Sequence, residues 1–105
     1  VRGAAGTSMG QAITYFNQVR TRAGAPVVSV LSLEEVLNER GRELGLEGVR
    51  RQDLIRFGKF TGGSYLWPWK GGVKNGAAIS DNYKLFPIPS TALQANPNLT
   101  QNPGY

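Results

Sequence analysis

The sequence predicts a mainly α-helical chain: two to three helices, then a long irregular strap rich in proline and glycine at the carboxyl terminus. Apolar residues recur at three- and four-residue steps as far as Phe57. That periodicity fails from Gly58 onward, where Gly62-Gly63, Gly71-Gly72 and Asn75-Gly76 punctuate the chain as turns. The last 21 residues, Leu85 to Tyr105, carry no charge and include prolines 87, 89, 97 and 103. With 105 residues, 40% of them hydrophobic and 18% charged, the chain holds material for one modest core.

The first helix is expected over about 8–23, where Met9, Ala12, Ile13, Phe16, Val19 and Ala23 form one stripe. Thr7 or Ser8 can cap its start, Arg20 and Arg22 suit its carboxyl end, and Gly24 with Pro26 stops it. Val27 to Leu31 reads as an extended linker. Ser32-Leu33-Glu34-Glu35 is a capping box. A second helix follows over about 33–47, with Leu33, Val36, Leu37 and Leu44 on its apolar side. Gly41 and Gly45 lie within it and leave a flat strip that another backbone can approach. Gly48 marks a bend, and a third helix is expected over about 49–57, with Leu54 and Phe57 inward. Residues 58–105 are read as irregular. Tyr83 to Ile88 has the composition of a short strand, but Pro87 and Pro89 confine it to an edge or to polyproline geometry.

The absence of cysteine and histidine excludes disulfide scaffolds, thiol nucleophiles, serine–histidine hydrolysis and histidine-based metal sites. No apolar run is long enough to span a membrane as a helix. Net charge is +5, but its placement argues against a nucleic-acid partner. Residues 32–59 balance six acids with six bases, and the excess is divided between the two ends. A phosphate-binding surface concentrates unopposed cations instead.

Glu35, Glu39, Glu43 and Glu47 stand at successive four-residue steps. Each step overshoots a helical turn by about 40°, so the four carboxylates fan around the axis and do not converge on one ion. No metal or other cofactor is expected; Arg42, Arg50, Arg51 and the arginines of the first helix are expected to neutralise them. Glu43, Glu47, Arg50 and Asp53 form the expected structural ion-pair set, with the last three partly buried around the Gly48 bend. Tyr65, Trp67 and Trp69 alternate in a stretch stiffened by Pro68. If extended, the three rings face one way. Such a platform suits a sugar, whose C–H face stacks on rings while its hydroxyls seek polar neighbours. Lys70, Asn75, Asp81 and Asn82 are near enough in sequence to supply them. The other reading is that the rings cover the helical core.

Three ordered stretches carry a family resemblance. Glu39-Arg40-Gly41-Arg42-Glu43-Leu44-Gly45-Leu46-Glu47-Gly48 continues through Arg50 into Asp53-Leu54-Ile55-Arg56-Phe57-Gly58-Lys59. Leu85-Phe86-Pro87-Ile88-Pro89 follows, and the chain closes with Asn96-Pro97-Asn98-Leu99 and Gln101-Asn102-Pro103-Gly104-Tyr105. This closely resembles the carboxyl-terminal end of the SusD/RagB family of Bacteroidetes outer-membrane lipoproteins. Val49, Arg51 and Gln52 depart from the aromatic and histidine residues frequent there in relatives.

The resemblance implies a surface lipoprotein that binds glycans or other nutrients, is not an enzyme, and lies as a lid on a SusC-like, TonB-dependent transporter at the extracellular face of the outer membrane. It implies a fold with tetratricopeptide-like helix pairs and a parent several times longer than this chain, residues 1–105 being its carboxyl-terminal segment. The anchoring cysteine and the helix pairs would lie upstream of Val1, where the chain shows no leader. No family motif reaches Tyr65, Trp67, Trp69 or Lys70, so their ligand-binding assignment rests on ring chemistry. The alternative functions are a purely structural module and a basic adaptor for nucleic acid or anionic lipid. In isolation the fragment is expected to self-associate, because its strap needs a surface to lie on.

Overall fold

The computed structural model describes residues 7–105, and the chain divides into two units, Val1–Arg50 and Arg51–Tyr105. In the first unit, α1 (Thr7–Arg22) is already helical at Thr7. Ser8 therefore sits in the first turn, and the capping position lies outside the described residues. The stripe from Met9 to Val19 is half-buried, while Tyr15 on another face is exposed. Arg20 and Arg22 occupy the last turn, and the amide of Ala25 closes the end on the Arg20 carbonyl at 2.8 Å.

The expected linker is held in place by α1. Asn17 accepts from the Val28 amide (2.9 Å) and donates to the Val28 carbonyl (2.8 Å), so one side chain serves both main-chain groups that a strand partner would have taken. Arg20 Nε donates to the Pro26 carbonyl at 2.5 Å. The linker ends on Leu31, which is buried.

Ser32 then caps α2 (Leu33–Glu43), its hydroxyl accepting from the Glu35 amide at 3.0 Å. The helix stops four residues short of the expected Glu47. Leu44 leaves helical geometry, and Leu46 adopts φ 67° with its side chain in solvent. Gly41 inside the helix costs about 1 kcal/mol, and Gly45 just past Leu44 would add a similar cost to any continuation. What approaches the Gly41 strip is a side chain and not a backbone: a β-carbon at Gly41 would lie 2.9 Å from Arg50 Nη1. That same nitrogen donates to the Leu37 carbonyl at 2.7 Å.

The second unit takes up α3 (Arg50–Arg56) from its second residue. Leu54 is buried within it, Phe57 just beyond it is half-buried, and the chain turns at Gly58. An isolated antiparallel bridge, Gly62 to Ile79, closes the loop between them, with the Gly62 amide donating to the Ile79 carbonyl at 2.9 Å. Short 3-10 helices occupy Lys70–Gly72 and Asp81–Lys84. The second of these takes Tyr83 and Lys84, and no strand is assigned over 85–88, which corrects the strand considered over Tyr83 to Ile88. The irregular reading of 58–105 also gives way at α4 (Ser90–Ala95), which follows Pro89 and carries the good helix formers Ala92, Leu93, Gln94 and Ala95. Among the described residues there are four α-helices and no strands, a mainly α fold.

The strap is fixed by polar side chains rather than by a sheet. Gln101 accepts from the Ile88 amide (2.8 Å) and donates to the Ile88 carbonyl (2.9 Å). Asn102 donates to the Phe86 carbonyl at 2.7 Å, and the Tyr105 hydroxyl to that of Leu85 at 2.9 Å. Gly104 is glycine for space: at φ 93°, a β-carbon there would lie 1.8 Å from Asn82 Nδ2.

Among the described residues, the buried apolar side chains are Leu31, Leu37 and Leu54, whereas Glu39, Asp53, Thr61 and Lys70 are buried polar or charged ones. No buried side-chain nitrogen or oxygen among them lacks a hydrogen-bond partner. Polar satisfaction therefore matters to this chain as much as apolar burial does.

Candidate functional site

The acidic row of α2 works as an ion-pair ladder. Glu39, 8% exposed, accepts through Oε2 from Arg20 at 2.7 Å and from Arg42 at 2.5 Å. Burial pushes its carboxyl pKa up, but the hydrogen bonds and charges of Arg42 and Arg20 outweigh that and hold it below the ordinary glutamate value. Glu43 pairs with Arg22 at the surface. Of the expected ion-pair set, Asp53 is buried and accepts from Arg56 at 3.0 Å, and Arg50 is half-buried over Gly41. Glu47 lies exposed past the end of α2, because the helix stops before reaching it. Among the described residues no three carboxylates gather where they could hold a metal ion.

A notch of about 220 Å³ in the first unit is lined by Phe16, Val19, Val36 and Leu44 with Glu39, Arg40 and Glu43. Its apolar walls suit an apolar side chain more than a sugar.

The aromatic loop lies wholly in the second unit. A bend at Tyr65 and a turn at Pro68 and Trp69 interrupt the stretch, so it is not the continuous extended run that would set three rings on one side. Trp67 instead stacks on Phe60 (centroids 6.3 Å apart, planes at 24°) and meets Tyr65 at 6.1 Å and 50°. Tyr65 and Trp67 are half-buried. Phe60 was invisible as a stacking partner in the sequence, since only the fold of the loop brings it back.

Trp69 stands apart from this stack. It takes φ 70° and is 66% exposed, held by its amide donating to the Val73 carbonyl at 3.0 Å. For a residue with a β-carbon, left-handed backbone costs about 1–2 kcal/mol. Nearby, Gly76 passes the loop so closely that a β-carbon on it would lie 2.6 Å from the Trp67 carbonyl oxygen.

Lys70 does not face solvent. It is 1% exposed, and its ammonium donates to the carbonyls of Gly62 (2.8 Å) and Tyr65 (2.7 Å) under the Trp67 ring, 4.7 Å from the centroid. Asp81 remains exposed. Its Oδ1 accepts from the Thr61 hydroxyl at 2.5 Å and pairs with Lys84 at 2.9 Å, and these contacts lower its pKa. Asn75 is also exposed, and Asn82 is half-buried beside Gly104. The loop thus offers an exposed indole with a carboxylate and an amide within the same unit. A cation–π sandwich braces it elsewhere: Arg51 lies 5.1 Å from the Phe60 centroid and 4.2 Å from that of Phe86.

With this geometry in hand, comparison with known proteins gives a family model, described as the SusD family, that matches residues 3–105. The chain belongs to the SusD family. It is 43% identical over 97 residues to the starch-binding protein SusD of Bacteroides thetaiotaomicron, covering 91% of this chain and 18% of that protein. Its structure is similar to that of surface glycan-binding protein A from Bacteroides thetaiotaomicron, with TM-score 0.75 and 34% identity over 97% of this chain and 21% of that one. The chain therefore spans about a fifth of the length of these SusD-family relatives. Among the described residues, no helix is long and apolar enough to cross a membrane.

Proposed function

We propose that this chain serves as the carboxyl-terminal segment of a glycan-capturing SusD-family protein, and that Trp69, with Trp67 and Tyr65 behind it, contributes a stacking surface to its ligand site. The observation that carries the capture role is the 43% identity to a starch-binding protein across nearly the whole chain. What supports the loop is Trp69 itself. Strained backbone and an indole left in water are both unfavourable, and such costs persist where the surroundings hold them for a purpose. Lys70 drops out of the ligand set, and Asp81 and Asn75 take its place as partners for sugar hydroxyls. The role is capture without bond-breaking chemistry. By family expectation the full-length protein sits at the extracellular face of the outer membrane and hands its ligand to a TonB-dependent transporter.

The test is isothermal titration of the full-length parent protein with a panel of oligosaccharides. Trp69→Ala is expected to weaken binding of the preferred oligosaccharide by about tenfold, the worth of one well-placed aromatic stack. Unchanged affinity in Trp69→Ala and Trp67→Ala removes the loop from the site. A purely structural role is favoured by the half-buried Phe60–Trp67–Tyr65 stack. Acrylamide quenching separates the two readings: strong quenching of Trp69 in the parent fits a ligand platform, and weak quenching fits a surface covered by the rest of the protein.

A further inference from the structure

The buried lysine is the group that the proposed role leaves without a task. No carboxylate is among its partners in the described residues; two backbone carbonyls and a ring face surround its charge instead. A buried ammonium is tolerated only where its donors are satisfied, and here Gly62, Tyr65 and Trp67 satisfy them. Its main chain is tied in as well: the Lys70 amide donates to the Trp67 carbonyl at 3.0 Å, and its carbonyl accepts from the Ala77 amide at 2.9 Å. One residue thereby joins four points of the loop, and two of them carry the stacked rings.

We infer that Lys70 is a positioning residue: its ammonium, seated on the Gly62 and Tyr65 carbonyls beneath Trp67, sets the pitch of Trp67 against Tyr65 and Phe60 and anchors the turn that holds Trp69 in solvent. The chemistry of the position requires lysine. A flexible stem ending in a compact charge reaches both carbonyls and still lies against the ring, whereas the planar guanidinium of arginine presents its donors in a fixed fork. Methionine matches the stem but carries no donor, so it leaves both carbonyls short of a partner and the ring without its cation. The effect on glycan affinity rests on the aromatic-surface reading; the hold on the rings does not.

The experiment uses the full-length parent with isotope-labelled tryptophan indoles, assigned through Trp67→Phe and Trp69→Phe. In Lys70→Met both indole resonances are expected to move, and acrylamide quenching of Trp67 is expected to rise. Lys74→Met, which removes an exposed charge from the same turn, leaves the Trp67 signal in place. Oligosaccharide affinity falls about fivefold in Lys70→Met and stays unchanged in Lys74→Met. If the indole resonances of folded Lys70→Met coincide with those of the wild type, the positioning role is overturned whatever the binding does. If they move while affinity holds, the positioning role stands and the aromatic-surface reading falls. Should Lys70→Met fail to fold, Lys70→Arg keeps the charge and changes the donor geometry together with the bulk of the head group. A displaced Trp67 signal there supports the inference, and an undisplaced one overturns it.

Discussion

Glu39 lies between two arginines of unequal exposure, Arg20 at 14% and Arg42 at 55%. Removing the carboxylate leaves Arg20 nearly buried with its main counter-charge gone. Glu39→Ala is accordingly expected to destabilise the fold by about 2–4 kcal/mol. Arg22→Ala breaks a pair exposed on both sides and costs less than about 1 kcal/mol. Urea unfolding followed by helical circular dichroism measures both, and equal losses would contradict the assignment. Because the folded Glu39 pKa lies below the ordinary one, the ion-pair contribution is complete above the ordinary glutamate value and is lost as pH falls through the folded value. The stability gap between wild type and Glu39→Gln is therefore expected to narrow on acidification below the carboxylate range. At this scale the sequence was legible in kind but not in detail. Four glutamates at helical spacing beside many arginines announced neutralisation, but which glutamate is buried depends on the approach of α1. The burial of Lys70 was not legible, because lysine is ordinarily solvated and the carbonyls that hold it are five and eight residues away.

The elements divide into those announced by local chemistry and those set by contacts at a distance. Ser32 and Glu35 marked the start of α2, and the apolar stripe marked α1 to within a residue at each end. The end of α2 was not legible, because Arg50 over Gly41 and the left-handed Leu46 decide it. The strap is the clearest case. An uncharged, proline-rich tail has the composition of disorder, yet Gln101, Asn102 and Tyr105 act as a substitute strand along Leu85 to Ile88. Gln101→Ala is expected to cost about 1–3 kcal/mol, since it leaves two main-chain groups of Ile88 unpaired. Hydrogen exchange checks this directly: the Ile88 amide should exchange much faster in the variant while the α1 amides keep their wild-type rates. In the aromatic loop, Gly76→Ala is expected to destabilise by about 2 kcal/mol or more, as positive φ and the nearby Trp67 carbonyl both oppose a β-carbon. A fully native melting midpoint in that variant would show the loop to be softer than its contacts imply.

At the scale of the molecule, exposed large apolar side chains outnumber buried ones among the described residues. Phe86 is 70% exposed, and Tyr83, Leu85, Leu99 and Tyr105 of the same unit lie between 41% and 55%. In the first unit, Leu46 and Val30 are more open still, and Val27 is 64% exposed. Large apolar side chains left in water in such number mark surfaces meant to be covered. The separately expressed chain is expected to self-associate, with a sedimentation coefficient that rises with concentration, and Phe86→Ser is expected to lessen the effect. A monodisperse monomer across the concentration range would count against it. The family resemblance was legible at this scale because ordered motifs carry it, whereas the ligand surface was only partly so. Ring chemistry singled out three aromatics, but the fold separates Trp69 from Trp67 and Tyr65.

The polar clasp between Gln101 and Ile88 also bears on how the protein ages. Proteolytic trimming that removes Gln101 to Tyr105 would strip the partners from a run of peptide groups whose neighbouring side chains, Leu85 and Phe86, already face water. A naked, greasy edge of that kind recruits its own likeness. Clipped material should therefore cloud on storage well before intact material does, and light scattering after limited digestion would reveal it.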